Sequence, residues 1–170
     1  STWPTSQSKA FMTGFGNWNE DALVAADHVM ALAQKYNIRI MFTFLDQHDN
    51  NTGGVREIAR NCATWNTNFF ADTCSKDMTK EIIDKFLNRT NTVTNKLYKN
   101  DPAIFAWEFI NEPWETNGGG GFRNWLWELG TYVKNSDSSH MLSSGDDGSI
   151  WFTHNYESGY NGNNNHDFVM

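Results

Sequence analysis

The residues best suited to chemistry are polar side chains that directly follow apolar segments of the chain. Asn111 and Glu112 follow the apolar run at 105–110, and Pro113 comes next. Two further apolar runs end in Asp46, Gln47, His48 and Asp49, and in Asp146 and Asp147. A carboxyl group at such a position lies between apolar walls and water, where it can act as a general acid or base. An adjacent asparagine can orient a substrate hydroxyl group.

Three strands must position these side chains. Apolar runs at 38–45, 103–110 and 140–144 predict them. The first run is almost unbroken, which predicts a strand covered on both faces. Within the second, a period of two places Trp107 on one face and Glu108 on the other.

Helical patterns precede each predicted strand. Apolar side chains at a 3.6-residue period predict helices over 20–36, with Asn19 as its cap, and over 75–99 and 122–134. Alternating helices and strands predict an α/β fold with parallel strands, whose carboxyl ends meet at one edge. Ligands bind at that edge in such folds. The polar stretch 46–72 is expected to be a long functional loop or one that contains short turns.

Composition limits the function classes. The net charge of −7 and the pI near 5.1 argue against nucleic acid as a partner. No apolar run approaches the roughly 20 residues of a membrane-spanning helix, so no membrane is expected as partner. Eight tryptophans with abundant asparagine suit a surface that stacks on sugars, whereas most phenylalanines are expected in the core.

Two features concern an extracellular setting. Cys62 and Cys74 can pair across the long loop in an oxidising compartment, and two free thiols are the open alternative. Asn50 and Asn88 begin tripeptides that have the form of N-glycosylation acceptors.

The tripeptide Asn-Glu-Pro has an ordinary interpretation as a turn that ends a strand. The apolar strand before it, and the two similar strand ends, favour a functional carboxylate. His48 with Asp46 and Asp49 is also a possible metal-ligand set. Partner ligands at the usual spacing are missing, so a solvated loop is predicted there and no metal.

The segment WEFINEP at 107–113 resembles the fourth-strand motif of retaining glycoside hydrolases, most closely the endo-β-1,4-mannanase branch of family 5. Further similar stretches lie across roughly residues 20–150. They are found at 33–40, 87–92, 98–104, 132–137 and 144–148.

The resemblance implies a (β/α)8 TIM barrel, of which residues 1–170 are expected to be a fragment of a single catalytic domain. Barrel strands one and two and strands six to eight would be absent. It implies that Glu112 is the general acid/base and that Asn111 binds the 2-hydroxyl group of the sugar at the cleavage point. The nucleophile would be a glutamate at the end of strand seven. We therefore expect this chain alone to be inactive, and we expect no cofactor.

The implied substrate is β-mannan or a related plant polysaccharide, and the implied location is extracellular. Trp114 and Trp151 are candidates for sugar stacking, with packing under a loop as the alternative, and Asp147 is a candidate for a distal subsite. Three other glutamates stand in the wrong sequence context to be the nucleophile and are interpreted as loop or helix-surface groups: Glu115, Glu128 and Glu157.

Two other functions stay open. The family usually has Asn-Asn-Trp in the loop after strand three, where this chain has the sequence DQHDNNT at 46–52. This difference keeps a cellulase-like β-glucanase fragment as an alternative. A non-catalytic half barrel that binds carbohydrate is the second alternative. The sequence does not predict the oligomeric state.

Overall fold

The fold comprises parallel strands, crossover helices and a small hairpin in the part of the chain that a computed structural model describes, residues 10–48, 54–64, 69–114 and 121–146. The strands are β1 (Met12–Gly14), β2 (Asn17–Trp18), β3 (Ile40–Asp46), β4 (Ile104–Asn111) and β5 (Met141–Ser143). The α-helices are α1 (Glu20–Lys35), α2 (Val55–Asn61), α3 (Thr73–Leu87) and α4 (Gly121–Ser136).

The strands β3, β4 and β5 form a parallel sheet in that order. Thr43 pairs with Glu108, and Glu108 pairs with Ser143. This confirms the predicted α/β fold and its three strands. The antiparallel pair β1 and β2 was not predicted, since its strands are too short to show a period.

One face of the sheet carries an aromatic core. Phe42 packs against Phe86 of α3, and Phe109 packs against Trp125 of α4, with ring centroids 4.6 Å and 5.5 Å apart. Trp107 is fully buried and stacks on Phe44, as expected of a core residue. The helices therefore cover this face.

The opposite face of β3 differs from the prediction. Met41 is 49% exposed and Thr43 is also exposed, so the expectation that β3 is covered on both faces is wrong for the described residues. An apolar sequence run reports which side chains favour burial, but it does not say whether a neighbouring element lies over them.

The helix predicted over 75–99 is too long, because α3 ends at Leu87. Asp72 caps its start by accepting a hydrogen bond from the Ser75 amide at 2.8 Å. After Asn88 the chain forms a turn in which the Asn91 side chain accepts hydrogen bonds from the amides of the second and third following residues. These local bonds satisfy the backbone without a helix. A short 3-10 helix, Tyr98–Asn100, then leads to β4.

The buried Asp27 of α1 fixes this turn. Its two oxygens accept hydrogen bonds from Arg89 at 2.8 and 2.6 Å, from the Tyr98 hydroxyl group at 2.7 Å, and from the amide and hydroxyl groups of Thr92. Burial raises the pKa of Asp27, but the bonds from Arg89 and Tyr98 outweigh it, so the net pKa is lowered. The carboxylate thus stays charged inside the fold.

A second buried cluster lies where β5 begins. Asp137 accepts hydrogen bonds from the Trp107 indole at 2.7 Å and from His140 Nδ1 at 2.6 Å. Burial raises the pKa of Asp137, yet the hydrogen bonds from His140 and Trp107 bring it down to about 2. The pKa of His140 is raised, because its bond to Asp137 outweighs burial. The ion pair closes the connection between α4 and β5, and the bond from Trp107 joins this connection to β4.

The predicted loop at 46–72 contains the helix α2. Cys62, at the end of α2, and Cys74, in α3, form a disulfide. The pairing that the sequence left open is therefore present. Among the helices in the described ranges, none has the length and apolar character needed to cross a membrane.

Candidate functional site

The carboxyl ends of β3 and β4 are joined side by side. Asp46 and Asn111 are register partners, and the side-chain amide of Asn111 donates a hydrogen bond to Asp46 Oδ1 at 3.3 Å. The Gln47 backbone amide donates to the Asn111 carbonyl at 3.2 Å. The polar residues that follow these two strands thus converge as the parallel sheet requires.

Glu112 is held at the tip of β4 in a left-handed backbone conformation, with φ of +49°. For a residue that is not glycine, this conformation costs roughly 1–3 kcal/mol and occurs often at functional sites. The Glu112 amide donates a hydrogen bond to the Gly145 carbonyl at 2.9 Å, so the tip is also tied to the end of β5. Glu112 therefore lies just beyond the strand and does not continue its regular alternation of faces.

Two glycines allow this close packing. A Cβ atom at Gly145 would lie 1.9 Å from the Ile110 carbonyl oxygen, and one at Gly54 would lie 2.5 Å from the Asp46 carbonyl oxygen. Both have positive φ values, +81° and +135°. Only glycine fits at both positions, so the ends of β3 and β4 are shaped by backbone contacts that larger residues would prevent.

The Glu112 carboxylate has a histidine neighbour. His48 Nε2 lies 2.6 Å from Glu112 Oε2, and the two side chains are 41% and 55% exposed. The His48 backbone amide donates to Asp46 Oδ1 at 2.9 Å, which fixes the turn that follows β3. Sequence reasoning assigned His48 to a solvated loop and missed this contact. Its position two residues beyond the end of an apolar strand was the available signal.

A second carboxylate lies below the tip, within β4. Glu108 accepts hydrogen bonds from Thr43 of β3 at 2.8 Å and from Ser143 of β5 at 3.4 Å. The Ser143 hydroxyl oxygen in turn accepts from the Gly145 amide at 3.1 Å. Glu108 thus crosslinks the three strands under the site.

The other predicted site residues divide into two groups. Trp114 is described and is 46% exposed, beside the buried Pro113. Asp147 and Trp151 lie outside the described residues. Asp146, which precedes them, accepts a hydrogen bond from the Ser144 hydroxyl group at 2.8 Å.

Glu128 is a surface carboxylate, as predicted. It lies on α4 and pairs with Lys80 at 2.7 Å and Lys76 at 2.9 Å. Hydrogen bonds from these lysines lower its pKa. Glu115 and Glu157 lie outside the described ranges.

Potential metal ligands cluster at one place in the described residues, formed by Cys62, Asp72 and Cys74. The two sulfur atoms are bonded to each other, so neither is a thiolate that could bind a metal. The expectation that no metal or cofactor takes part stays a prediction.

Parallel strands with crossover helices, and a carboxylate at the tip of β4, define an α/β protein with a candidate site at the carboxyl ends of its strands. The family match and the solved structures below assign this part of the chain to a (β/α)8 barrel. Residues 59–161 match the family described as GH family 5 beta-mannosidase-like. The chain belongs to glycoside hydrolase family 5.

Plant proteins are among the relatives. Mannan endo-1,4-beta-mannosidase 7 of Oryza sativa subsp. japonica is 32% identical over 156 residues, which is 86% of this chain and 41% of the rice protein. Mannan endo-1,4-beta-mannosidase 7 of Arabidopsis thaliana is 33% identical over 156 residues, 86% of this chain and 36% of that protein. The chain therefore spans about two fifths of the length of these relatives.

Solved structures agree on the fold. An endo-beta-1,4-mannanase from Thermotoga petrophila superposes with a TM-score of 0.71 at 28% identity, covering 75% of this chain and 28% of the other. A glycoside hydrolase family 5 mannosidase from Rhizomucor miehei gives a TM-score of 0.74 at 23% identity, covering 86% and 40%.

Proposed function

We propose that the full-length protein containing this chain is a retaining endo-β-glycanase that cleaves β-1,4-linked mannan. The observation that carries the proposal is the placement of Glu112. It is an exposed carboxylate on a left-handed residue at the carboxyl end of a parallel strand, and a backbone hydrogen bond ties it to Gly145, just after β5. The names of the plant relatives and of the Thermotoga structure supply the substrate class.

The chain is proposed to be part of a single catalytic domain, in which β3, β4 and β5 are the third to fifth barrel strands. Strands one and two and strands six to eight would come from outside these 170 residues. We propose a secreted protein, and the Cys62–Cys74 disulfide supports an oxidising compartment.

In the proposed reaction Glu112 first acts as an acid. It gives its proton to the glycosidic oxygen while the bond from that oxygen to the anomeric carbon breaks. A second carboxylate, about 5–5.5 Å away, forms a bond to the anomeric carbon. Glu112 then takes a proton from water as the water oxygen replaces this carboxylate. The second carboxylate is the strand-seven glutamate that the family implies, and we assign it to no residue of this chain.

The remaining predicted residues bind sugar in this proposal. Asn111 would form a hydrogen bond with the 2-hydroxyl group at the cleavage point, since it is the last residue of β4 and directly precedes Glu112. Trp114 is exposed enough to stack on a sugar ring. Asp147 and Trp151 are proposed as more distant contacts on sequence grounds alone.

Replacing Glu112 by glutamine in the full-length protein tests the proposal. Glutamine keeps the shape but cannot exchange the proton, so kcat/KM on β-1,4-mannan should fall about 10²–10⁴-fold. E128Q, which removes a surface carboxylate of α4, is the control and should leave activity unchanged. Proton NMR of the first product formed should show retention of the anomeric configuration. Near-normal mannan hydrolysis by E112Q would overturn the assignment.

A β-glucanase is the second candidate, because His48 and Asp46 of the unusual loop lie directly beside Glu112 and Asn111. Measuring kcat/KM on carboxymethyl cellulose beside mannan separates the two substrates. If the full-length protein binds either polymer without hydrolysing it, the carbohydrate-binding alternative replaces both.

A further inference from the structure

The contact between His48 and Glu112 is not part of the family motif, and it constrains the Glu112 carboxylate. Among the residues that the structure describes, His48 is the side chain that forms a hydrogen bond with the Glu112 carboxylate, and it binds one oxygen only. His48 Nε2 lies 2.6 Å from Oε2, whereas Oε1 makes no hydrogen bond within the described ranges. One oxygen is thus held and the other is left for a substrate.

The backbone around His48 is anchored to the same strand end that carries Glu112. Asp46 Oδ1 accepts hydrogen bonds from the His48 amide and from the Asn111 side chain. Gln47, which is 5% exposed, donates its amide proton to the Asn111 carbonyl. Hydrogen bonds therefore hold the segments that carry the histidine and the carboxylate against each other, although 64 residues separate the two side chains in sequence.

Holding one oxygen restricts a motion that matters for proton transfer. The terminal torsion of a glutamate is broad, so an unheld carboxyl group rotates widely. A general acid must lie within about 2.6–3.2 Å of the atom that it protonates. A donor on Oε2 limits this rotation and leaves Oε1 available for proton transfer.

The imidazole can play this role in both halves of the reaction. With its proton on Nε2, His48 donates to Oε2 when Glu112 is protonated on Oε1, and it also donates when Glu112 is ionised. The bond is stronger to the ionised form. No proton crosses the contact: Oε1 gives one proton to the leaving oxygen and takes one from water.

We propose that His48 is a positioning residue for Glu112, directing the Oε1 atom of the acid/base. This inference rests on the proposed function, because it assigns the acid/base role to Glu112. Both side chains are substantially exposed, so the pair adds little to folding stability, and its effect falls on the reaction.

The leaving group provides the test. In the full-length protein, kcat/KM is measured for a β-1,4-mannan oligosaccharide and for 2,4-dinitrophenyl β-mannobioside, whose leaving group departs without acid assistance. H48A should lower kcat/KM about 10–100-fold for the oligosaccharide. For the dinitrophenyl substrate the loss should stay below about 3-fold, because kcat/KM there reports the step that needs no acid.

Two further variants distinguish position from packing. The glutamine amide nitrogen can occupy the place of Nε2, whereas the shorter asparagine cannot reach Oε2. H48Q should therefore recover most of the oligosaccharide activity, and H48N should resemble H48A. H28Q changes an exposed histidine of α1 and should match the wild type on both substrates.

Each outcome has a defined meaning. Equal losses on both substrates, or no loss on either, would overturn the positioning role while leaving the proposed function intact. E112A must show the same leaving-group signature more strongly than H48A. If E112A lacks it, or if the wild type cleaves neither substrate, then the proposed function fails and the positioning role fails with it.

Discussion

Two histidine–carboxylate pairs in this molecule have the same separation and different surroundings. His48 lies 2.6 Å from Glu112 at the carboxyl ends of the strands, and His140 lies 2.6 Å from Asp137 at the start of β5. The side chains of the first pair are 41% and 55% exposed, but those of the second are 10% and 1% exposed.

The number of donors also differs. Asp137 accepts from the Trp107 indole, from the His140 ring and from two backbone amides, and Asp27 accepts five hydrogen bonds. Glu112 accepts one within the described residues. A carboxylate surrounded by donors stabilises the fold, whereas one with a free oxygen facing solvent can bind a substrate. Donor count and exposure, rather than the pair distance, separate the two kinds of site.

The largest effect is expected at Asp27. D27A removes the charge that pairs with the buried Arg89, so the free energy of unfolding should fall by about 3–5 kcal/mol. Urea unfolding of the full-length protein measures it. E112A, which removes an exposed carboxylate, is the matched comparison and should change stability by less than about 1 kcal/mol. Equal losses would show that donor count does not distinguish the two carboxylates.

A smaller effect on the free energy of unfolding is expected when the pH changes the charge of the Asp137–His140 pair. The pKa of Asp137 falls from 3.8 to about 2 on folding, since hydrogen bonds outweigh burial. Its contribution, about 2 kcal/mol, is therefore complete above pH 4 and is lost as the pH falls towards 2. The pKa of His140 is raised, so its contribution is complete below pH 6.5 and is lost as the pH rises through the folded value.

Urea unfolding at a series of pH values checks both contributions, as the slopes of the free energy of unfolding against pH in the acid range and above pH 6.5. D137N should flatten the acid slope between pH 4 and 2, whereas D77N, at an exposed carboxylate of α3, should leave it unchanged. The slope that remains in D137N comes from other carboxylates whose pKa is lowered, Asp27 and Glu128. An acid slope as steep in D137N as in the wild type would contradict the role given to Asp137.

The smallest effect is expected from removing each histidine in turn. H140A takes a donor from a buried carboxylate that keeps its other donors, so it should cost about 1–3 kcal/mol. H48A breaks an exposed pair and should cost less than about 1 kcal/mol. Thermal unfolding of the two variants side by side is sufficient. If H48A were the more destabilising, the exposed pair would be structural and the comparison would be inverted.

The sequence by itself determined the alternation of helices and strands and the position of Asn111 and Glu112 at the end of β4. These features depend on local periodicity and on a change from apolar to polar residues, both of which are visible in a short window. The family motif around Glu112 is likewise continuous in sequence. The helix α2 and the strands β1 and β2 were not predicted, because they are too short to show a period.

Only the tertiary structure decided how these elements end and what surrounds the carboxylate. The end of α3 at Leu87 depends on Asp27, which binds Arg89 across 62 residues of sequence. The contact between His48 and Glu112 spans 64 residues, and the left-handed backbone at Glu112 depends on the neighbouring strand end at Gly145. Such contacts arise only after parallel strands align, because pairing brings together residues that no local pattern relates.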